Sequence, residues 1–322
     1  MLTALGCSAA DLHAKVVASS SGKQVVVQLE LGVPVLGVQA SVCEDLASAL
    51  QPQLAADIGL AIDVKSRIPA IHRSSDVQNL PGIKNIIAVA SGKGGVGKSA
   101  TAANLALALQ AEGAAVGLLD ADIYGPSQPA MLGIDAQTRP EISEQKTFIP
   151  VPAYGLQTMS MGYMVTEKTP MVWRGPMVSG ALMQMLKQTA WGELDYLLID
   201  MPPGTGDIQL TLAQQVPCSG SVIVTTPQNI ATLDARKGIE MFHKVGIPCM
   251  GVVENMALHI CSKCGHSEAI FGRGGGESIA SEYGVPLLGS LPLDSLIREG
   301  LDCGQPIVAC SPGSAIAAQY VS

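Results

Sequence analysis

Basic residues are scarce in this 322-residue chain: 19 lysines and arginines face 27 aspartates and glutamates, a formal net charge of −8. Nucleic-acid surfaces rest largely on Lys and Arg neutralising phosphates, so no nucleic-acid partner is expected. Charge of either sign is sparse at 14% against 48% hydrophobic residues, the reverse of the balance that keeps a chain disordered. No apolar run reaches the length of a membrane span, and the first residues lack the basic start and apolar core of a secretory signal. These absences predict an ordered cytoplasmic protein with no membrane partner. Six of the eight cysteines, at 7, 43, 218, 249, 303 and 310, are scattered singly, which excludes the disulfide framework of a small secreted domain. They are expected to be small buried or half-buried apolar residues. Cys261 and Cys264 alone form a close pair.

What is present is organised around one stretch. An apolar run at 86–90 leads into Gly92-Lys93-Gly94-Gly95-Val96-Gly97-Lys98-Ser99, and residues 101–109 are rich in Ala and Leu. A strand, a glycine loop ending in Gly-Lys-Ser and a helix are the context of the phosphate-binding P-loop. Glycines at 92, 94, 95 and 97 let successive N–H groups point inward at phosphate oxygens, and the helix adds the positive end of its dipole. Lys98 is expected to reach the β- and γ-phosphates, and the Ser99 hydroxyl to ligate Mg²⁺.

The length accommodates one large α/β domain and a smaller one. Residues 1–66 read as the smaller, α+β in type: a β-rich run at 25–31, a helical face of Val42, Leu46, Ala49 and Leu50, and a further strand at 61–65. Residues 67–85 read as a linker, with Pro69, His72, Asp76, Asn79, Pro81 and Gly82 and no periodicity. His13 and His72 have no partner cluster and read as surface residues. From 86 to 322, short apolar runs at 86–90, 116–120, 196–200, 221–226 and 250–255 alternate with helical stretches. That pattern predicts a mostly parallel sheet covered by helices on both faces, with ligands at the carboxyl ends of its strands.

Polar residues collect at those ends. Asp120-Ala121-Asp122 could orient an attacking water or hold metal-bound waters, or could be a solvated acidic turn. Tyr196-Leu197-Leu198-Ile199-Asp200 is a Walker-B-type strand whose carboxylate would steer Mg²⁺ through water, and Gly204 could offer its N–H to a γ-phosphate. Asn255 carries both a donor and an acceptor for an adenine edge, although an Asn ending a strand is also a common turn residue.

Taken together these segments resemble a deviant Walker A group, marked by the early lysine Lys93, and within it the Mrp/Nbp35 family of iron–sulfur cluster carrier ATPases. The matching text includes Asp120-Ala121-Asp122-Ile123-Tyr124-Gly125-Pro126-Ser127, Val172-Trp173-Arg174-Gly175-Pro176, Asp200-Met201-Pro202-Pro203-Gly204-Thr205-Gly206-Asp207, Val253-Glu254-Asn255-Met256 and Cys261-Ser262-Lys263-Cys264-Gly265. Residues 1–66 are similar to the small MIP18-like domain of bacterial members. The resemblance implies that Lys98 and Ser99 hold phosphate and Mg²⁺, and that Lys93 reaches a partner's phosphates across a nucleotide-dependent homodimer. It further implies that Asp122 belongs to switch I, that Asp200 and Gly204 belong to switch II, and that Asn255 reads adenine. Ala100 departs from the Thr often found there, but its backbone N–H can still bind phosphate.

Two thiolates at the spacing of Cys261 and Cys264 can chelate one soft metal centre, yet four ligands are normally wanted. A two-fold homodimer would complete a four-cysteine site. A structural zinc, an unligated turn, and His266 as a third ligand are the alternatives. The leading expectation is a slow, regulatory ATP hydrolase that holds a [4Fe-4S] cluster bridging two subunits and exchanges it with scaffold proteins and apoproteins. A MinD- or ParA-like spatial-positioning ATPase would want a basic amphipathic tail, and residues 309–322 contain no Lys or Arg. A reductase like nitrogenase iron protein would want two widely separated cluster cysteines per chain.

Overall fold

In the smaller part of the chain, alternation of apolar and polar residues builds a sheet with one covered face. β1 (Lys15–Ser21) and β2 (Gln24–Leu31) pair antiparallel around Gly22, whose φ of 60° suits a residue without a Cβ. Val27, Leu29 and Leu31 of β2 are buried while Gln28 is exposed. α1 (Gln39–Leu50) carries Leu46 into that face and crosses over to β3 (Gly59–Ser66), which pairs parallel with β2. The computed structural model describes residues 10, 12–71, 78–164, 175–261 and 263–321. His72, Cys7 and Val172-Trp173-Arg174 of the sequence reading lie outside them.

The chain divides into two compact units, Met1–Ala70 with Ala111–Ala114, and Ile71–Gln110 with Ala115–Ser322. The second begins its regular structure with β4 (Ile83–Ala90), α2 (Lys98–Ala111) and β5 (Val116–Asp120). A short α3 (Gln128–Met131) precedes the hairpin of β6 (Val151–Ala153) and β7 (Leu156–Ser160). Next come α4 (Gly175–Gln188), β8 (Leu194–Asp200), α5 (Asp207–Gln215), β9 (Gly220–Thr225) and α6 (Asn229–Lys244). β10 (Cys249–Glu254) is followed by a small separate hairpin, β11 (His259–Ile260) and β12 (Ser267–Glu268). α7 (Gly275–Tyr283), β13 (Leu287–Ser290), α8 (Ser295–Asp302) and two further short helices end the chain.

The large sheet has the strand order β13-β10-β9-β4-β8-β5-β7-β6, parallel throughout except for β6. Its inner strands are covered on both faces, which is why the middle of each of β4, β5 and β9 reads as a short apolar run. Small side chains bring α2 close to the sheet: Ala102, Ala103 and Ala106 are completely buried. From β4 the chain runs outward past β8 to β5, and later returns to β9 on the other side of β4. The reversal opens a crevice at the carboxyl ends of β4, β8 and β9, where such sheets bind ligands.

Six strands, β1, β6, β7, β11, β12 and β13, were not foreseen. In β7 the buried positions include Thr158 and Ser160, so composition does not mark it, and the two-residue strands of the small hairpin are too short for periodicity to show. The expectation for the single cysteines holds for Cys43, Cys218 and Cys249 but fails for Cys303 and Cys310, which are exposed. Both stand at the ends of short helices on the surface, where a small thiol has no core to join.

Candidate active site

β4 feeds directly into the glycine loop, and the loop's glycines have different tasks. A Cβ at Gly97 would strike the amide of Asn255, and its φ of 83° lies in the left-handed region. A Cβ at Gly92 would strike the α6 backbone at Asp234, whereas at Gly94 it would meet nothing within 4 Å. The loop is therefore clamped from outside at 92 and 97 and open at its crown. Asn255, at the end of β10, donates from Nδ2 to the Val96 carbonyl at 2.9 Å. In this structure its amide supports the loop rather than standing free for a base.

The acidic residues of the site are drawn together by strand register. Asp120 and Asp200 end adjacent parallel strands and lie directly opposite each other, both with no exposure. Lys98, itself 5% exposed, forms a short ion pair with Asp200 Oδ1 and donates to the Ser99 hydroxyl at 3.2 Å. Asp120 Oδ2 accepts from the Ser127 and Gln128 N–H groups and from the Ser160 hydroxyl, and its Oδ1 accepts from the Asp122 N–H. Burial, reinforced by the adjacent Asp200, pushes the Asp120 carboxyl up to about 7. Burial also raises Asp122, against the pull of Lys98.

Gln128 was missed by sequence reasoning. Its Nε2 bridges the Ser99 carbonyl at 2.9 Å and Asp200 Oδ2 at 2.8 Å, while its buried Oε1 has no partner among the described residues. The only sequence signal was its place in the segment after Asp122, which reads as an ordinary turn. The all-oxygen set of Ser99, Asp200 and the orphaned Gln128 Oε1 fits a hard cation such as Mg²⁺.

Two further expected residues lie close by. Gly204 (φ 96°) gives its N–H to the Ser91 carbonyl at 3.0 Å. Lys93 is half-buried and, unlike Lys98, makes no ion pair among the described residues.

The cysteine pair lies apart from this network, at the tip of the hairpin of β11 and β12. The Cys261 N–H bonds to the His266 carbonyl at 2.9 Å, and the Gly265 N–H bonds back to the Cys261 carbonyl at 2.8 Å, making a tight knuckle. Cys261 is half-buried and Cys264 exposed. The Lys263 and Cys264 N–H groups aimed at the Cys261 sulfur hold its thiol below the ordinary value. Among the described residues no group of three His, Cys, Asp or Glu side chains could hold a metal ion, and His266 is a surface residue.

A family model described as ParA, NUBPL iron-transfer P-loop NTPase, matches residues 82–322. The chain belongs to that family. Among relatives of this NUBPL-type P-loop NTPase, an iron–sulfur cluster carrier protein of Pseudomonas fragi is 62% identical over 259 residues, covering 80% of this chain and 90% of the relative. The iron–sulfur cluster carrier protein of Escherichia coli K12 is 58% identical over 81% of this chain and 71% of its own length. A mouse iron–sulfur cluster transfer protein, NUBPL, is 51% identical over 75% of this chain and 76% of its own. Among solved structures, an Archaeoglobus fulgidus nucleotide-binding protein in complex with ADP superimposes with a TM-score of 0.65 at 35% identity, covering 75% of this chain and 93% of that one. The cell-division ATPase MinD of Pyrococcus furiosus, at 24% identity and a TM-score of 0.56, shares the fold alone. The P-loop NTPase fold expected from the sequence is thus the fold observed, and no helix among the described residues is long and apolar enough to cross a membrane.

Proposed function

We propose that this chain is an ATP-dependent iron–sulfur cluster carrier. Two copies form a homodimer, hold one [4Fe-4S] cluster between their Cys261 and Cys264 pairs, and pass it from scaffold proteins to apoproteins in the cytoplasm. The observation that carries this reading is the knuckle itself: two thiols, one with its thiolate favoured by backbone N–H groups, and no third ligand grouped with them among the described residues. A chain built this way supplies half of a four-thiolate site, and a two-fold axis supplies the rest. Half-exposed ligands suit a cargo that must leave. The names carried by the relatives point the same way, whereas the spatial-positioning alternative has only the shared fold behind it.

In this reading the glycine loop receives ATP. The β- and γ-phosphates draw the Lys98 ammonium from Asp200, which leaves Asp200, Ser99 and Gln128 to hold Mg²⁺ directly or through water. Bound there, Mg²⁺ would neutralise charge on the phosphate oxygens. A water oxygen bonds to the γ-phosphorus and the bond to the bridging oxygen breaks. ADP leaves with that electron pair, and a proton of the water passes to Asp122, whose burial makes it a better acceptor. Gly204 exchanges the Ser91 carbonyl for the γ-phosphate and returns when phosphate departs, so the loop after β8 reports nucleotide state. Lys93, with no ion pair among the described residues, reaches the partner's phosphates, and turnover is slow and regulatory.

Anaerobic reconstitution with iron and sulfide tests the assignment. The wild-type protein should develop a cluster absorption band, with four irons per dimer, and activate an apo-enzyme. A Cys261→Ala, Cys264→Ala protein should do neither. Equal cluster content in both proteins would remove the cluster from this site, and tightly held zinc that iron cannot displace would favour a structural knuckle.

A further inference from the structure

Met256 has a φ of 58°, in the left-handed region that a residue with a Cβ adopts only at a cost. Such a conformation persists where its neighbours over-determine it. Here they hold it from both sides. The Asn255 N–H bonds to the Thr225 carbonyl at 2.7 Å, and the Ala257 N–H bonds to the Leu291 carbonyl at 2.9 Å. Just before them, Glu254 gives its carbonyl to the Leu291 N–H at 2.8 Å and its Oε1 to the Gly276 N–H at 3.1 Å. The end of β10 is firmly tied, and the strained residue stands immediately beyond the ties.

Asn255 and Met256 also lie between the two functional regions. Toward the nucleotide loop, Asn255 Nδ2 supports the Val96 carbonyl at 2.9 Å, and a Cβ at Gly97 would stand 3.9 Å from Met256 Cε. Toward the thiols, Leu258 accepts the Leu293 N–H at 2.7 Å, β11 begins at His259, and Cys261 follows. The Asn255 amide has two competing uses. In the arrangement described here Nδ2 is committed to Val96, whereas the edge of a nucleotide base offers the same amide both an acceptor and a donor. An amide that turns to the base gives up Val96, and one restraint on Met256 goes with it.

We propose that Asn255 and Met256 form a hinge through which a bound nucleotide acts on the cysteine pair. When the base takes the Asn255 amide, Met256 relaxes out of the left-handed region and the hairpin of β11 and β12 turns about it, exposing Cys261. That the base takes Asn255 and that the thiols hold a cluster rest on the function proposed above; the strain at Met256 and its place between glycine loop and hairpin do not. The hinge is distinct from the loop after β8, which answers to the γ-phosphate, so ADP is sufficient to work it.

The test is the rate at which iodoacetamide alkylates Cys261 in the reduced, metal-free full chain, with and without saturating ADP. Trypsin cleaves after Lys263 and so delivers Cys261 and Cys264 on separate peptides for mass spectrometry. Cys303 and Cys310, exposed and on other elements, are internal references. In wild type ADP should speed alkylation of Cys261 by at least about fivefold, the low end of coupling between sites, and leave the references unchanged. Met256→Gly accepts the left-handed φ without strain. It should bind ADP as tightly as wild type and melt close to it, with a Cys261 rate indifferent to ADP. Met256→Leu keeps the strain with a similar side chain and should respond as wild type does. Asn255→Ala, unable to hold Val96, should react fast with or without ADP. No ADP effect in wild type, or an undiminished effect in Met256→Gly, overturns the hinge. So does equal loss in Met256→Gly and Met256→Leu, since side-chain packing rather than backbone strain then carries the signal. Anaerobic cluster loading of the same preparation separates the two ideas: a Cys261 that answers to ADP in a protein that loads no cluster overturns the carrier reading alone, and a loaded cluster without any ADP effect overturns the hinge alone.

Discussion

The two functional regions of this chain are built by opposite means. At the strand ends, Lys98, Asp120, Gln128 and Asp200 are all at or below 5% exposure, joined by hydrogen bonds that cross from the glycine loop to β5, α3 and β8. At the hairpin of β11 and β12, two thiols stand on the loop that joins a pair of two-residue strands, shaped largely by backbone bonds. Charges that must be positioned are held in a low-dielectric network, where each interaction is strong and each loss costly. The thiols proposed to surrender a cargo are placed where little else depends on them.

That contrast breaks most sharply at Lys98. Lys98→Ala leaves Asp200 as a buried charge without its partner, so the protein should lose about 3–5 kcal/mol of stability in a denaturant titration and lose ATP turnover altogether. Wild-type stability would mean that the ion pair contributes nothing to the fold. Gly97→Ala forces a side chain into the left-handed region and against Asn255. It should cost about 1–3 kcal/mol and lower ADP affinity in calorimetry. Removing the Asn255 side chain as well should recover part of the loss, because one of the two clashes is then gone.

Smaller effects sharpen the comparison. Gln128→Ala removes the bridge between Ser99 and Asp200 and should cost about 1–3 kcal/mol, with a clear rise in the Mg²⁺ concentration needed for tight nucleotide binding. An unchanged Mg²⁺ requirement would reduce Gln128 to a structural brace. Smallest in stability should be Cys261→Ala with Cys264→Ala, within about 0.5 kcal/mol of wild type by thermal melting, although cluster binding is lost. A large destabilisation there would show that the knuckle supports the fold and is not merely an attachment point.

Much of this was legible in the sequence because the signals are local. A strand, a glycine loop and a helix are adjacent in the chain, so residues 86–109 announced the phosphate site, and β5, β8, β9 and β10 were visible because the middle of a strand buried on both faces is written as a short apolar run. β7 was invisible for the complementary reason: Thr158 and Ser160 are buried through hydrogen bonds rather than hydrophobicity. The partners of Gly204 and Asn255 were likewise hidden, since Ser91 and Val96 lie far from them in sequence and become neighbours only when the strands align.

The sequence by itself determined the residue types of the nucleotide loop, the two acidic strand ends, the cysteine spacing and the parallel α/β class. Periodicity and motif spacing act over a few residues, and a single chain states them outright. Only the tertiary structure decided that Asp120 lies against Asp200, that Lys98 is paired with Asp200, and that Gln128 ties the two halves of the site together. Those facts depend on register between strands separated by most of a domain, and on burial that turns an ordinary polar side chain into one that must find a partner.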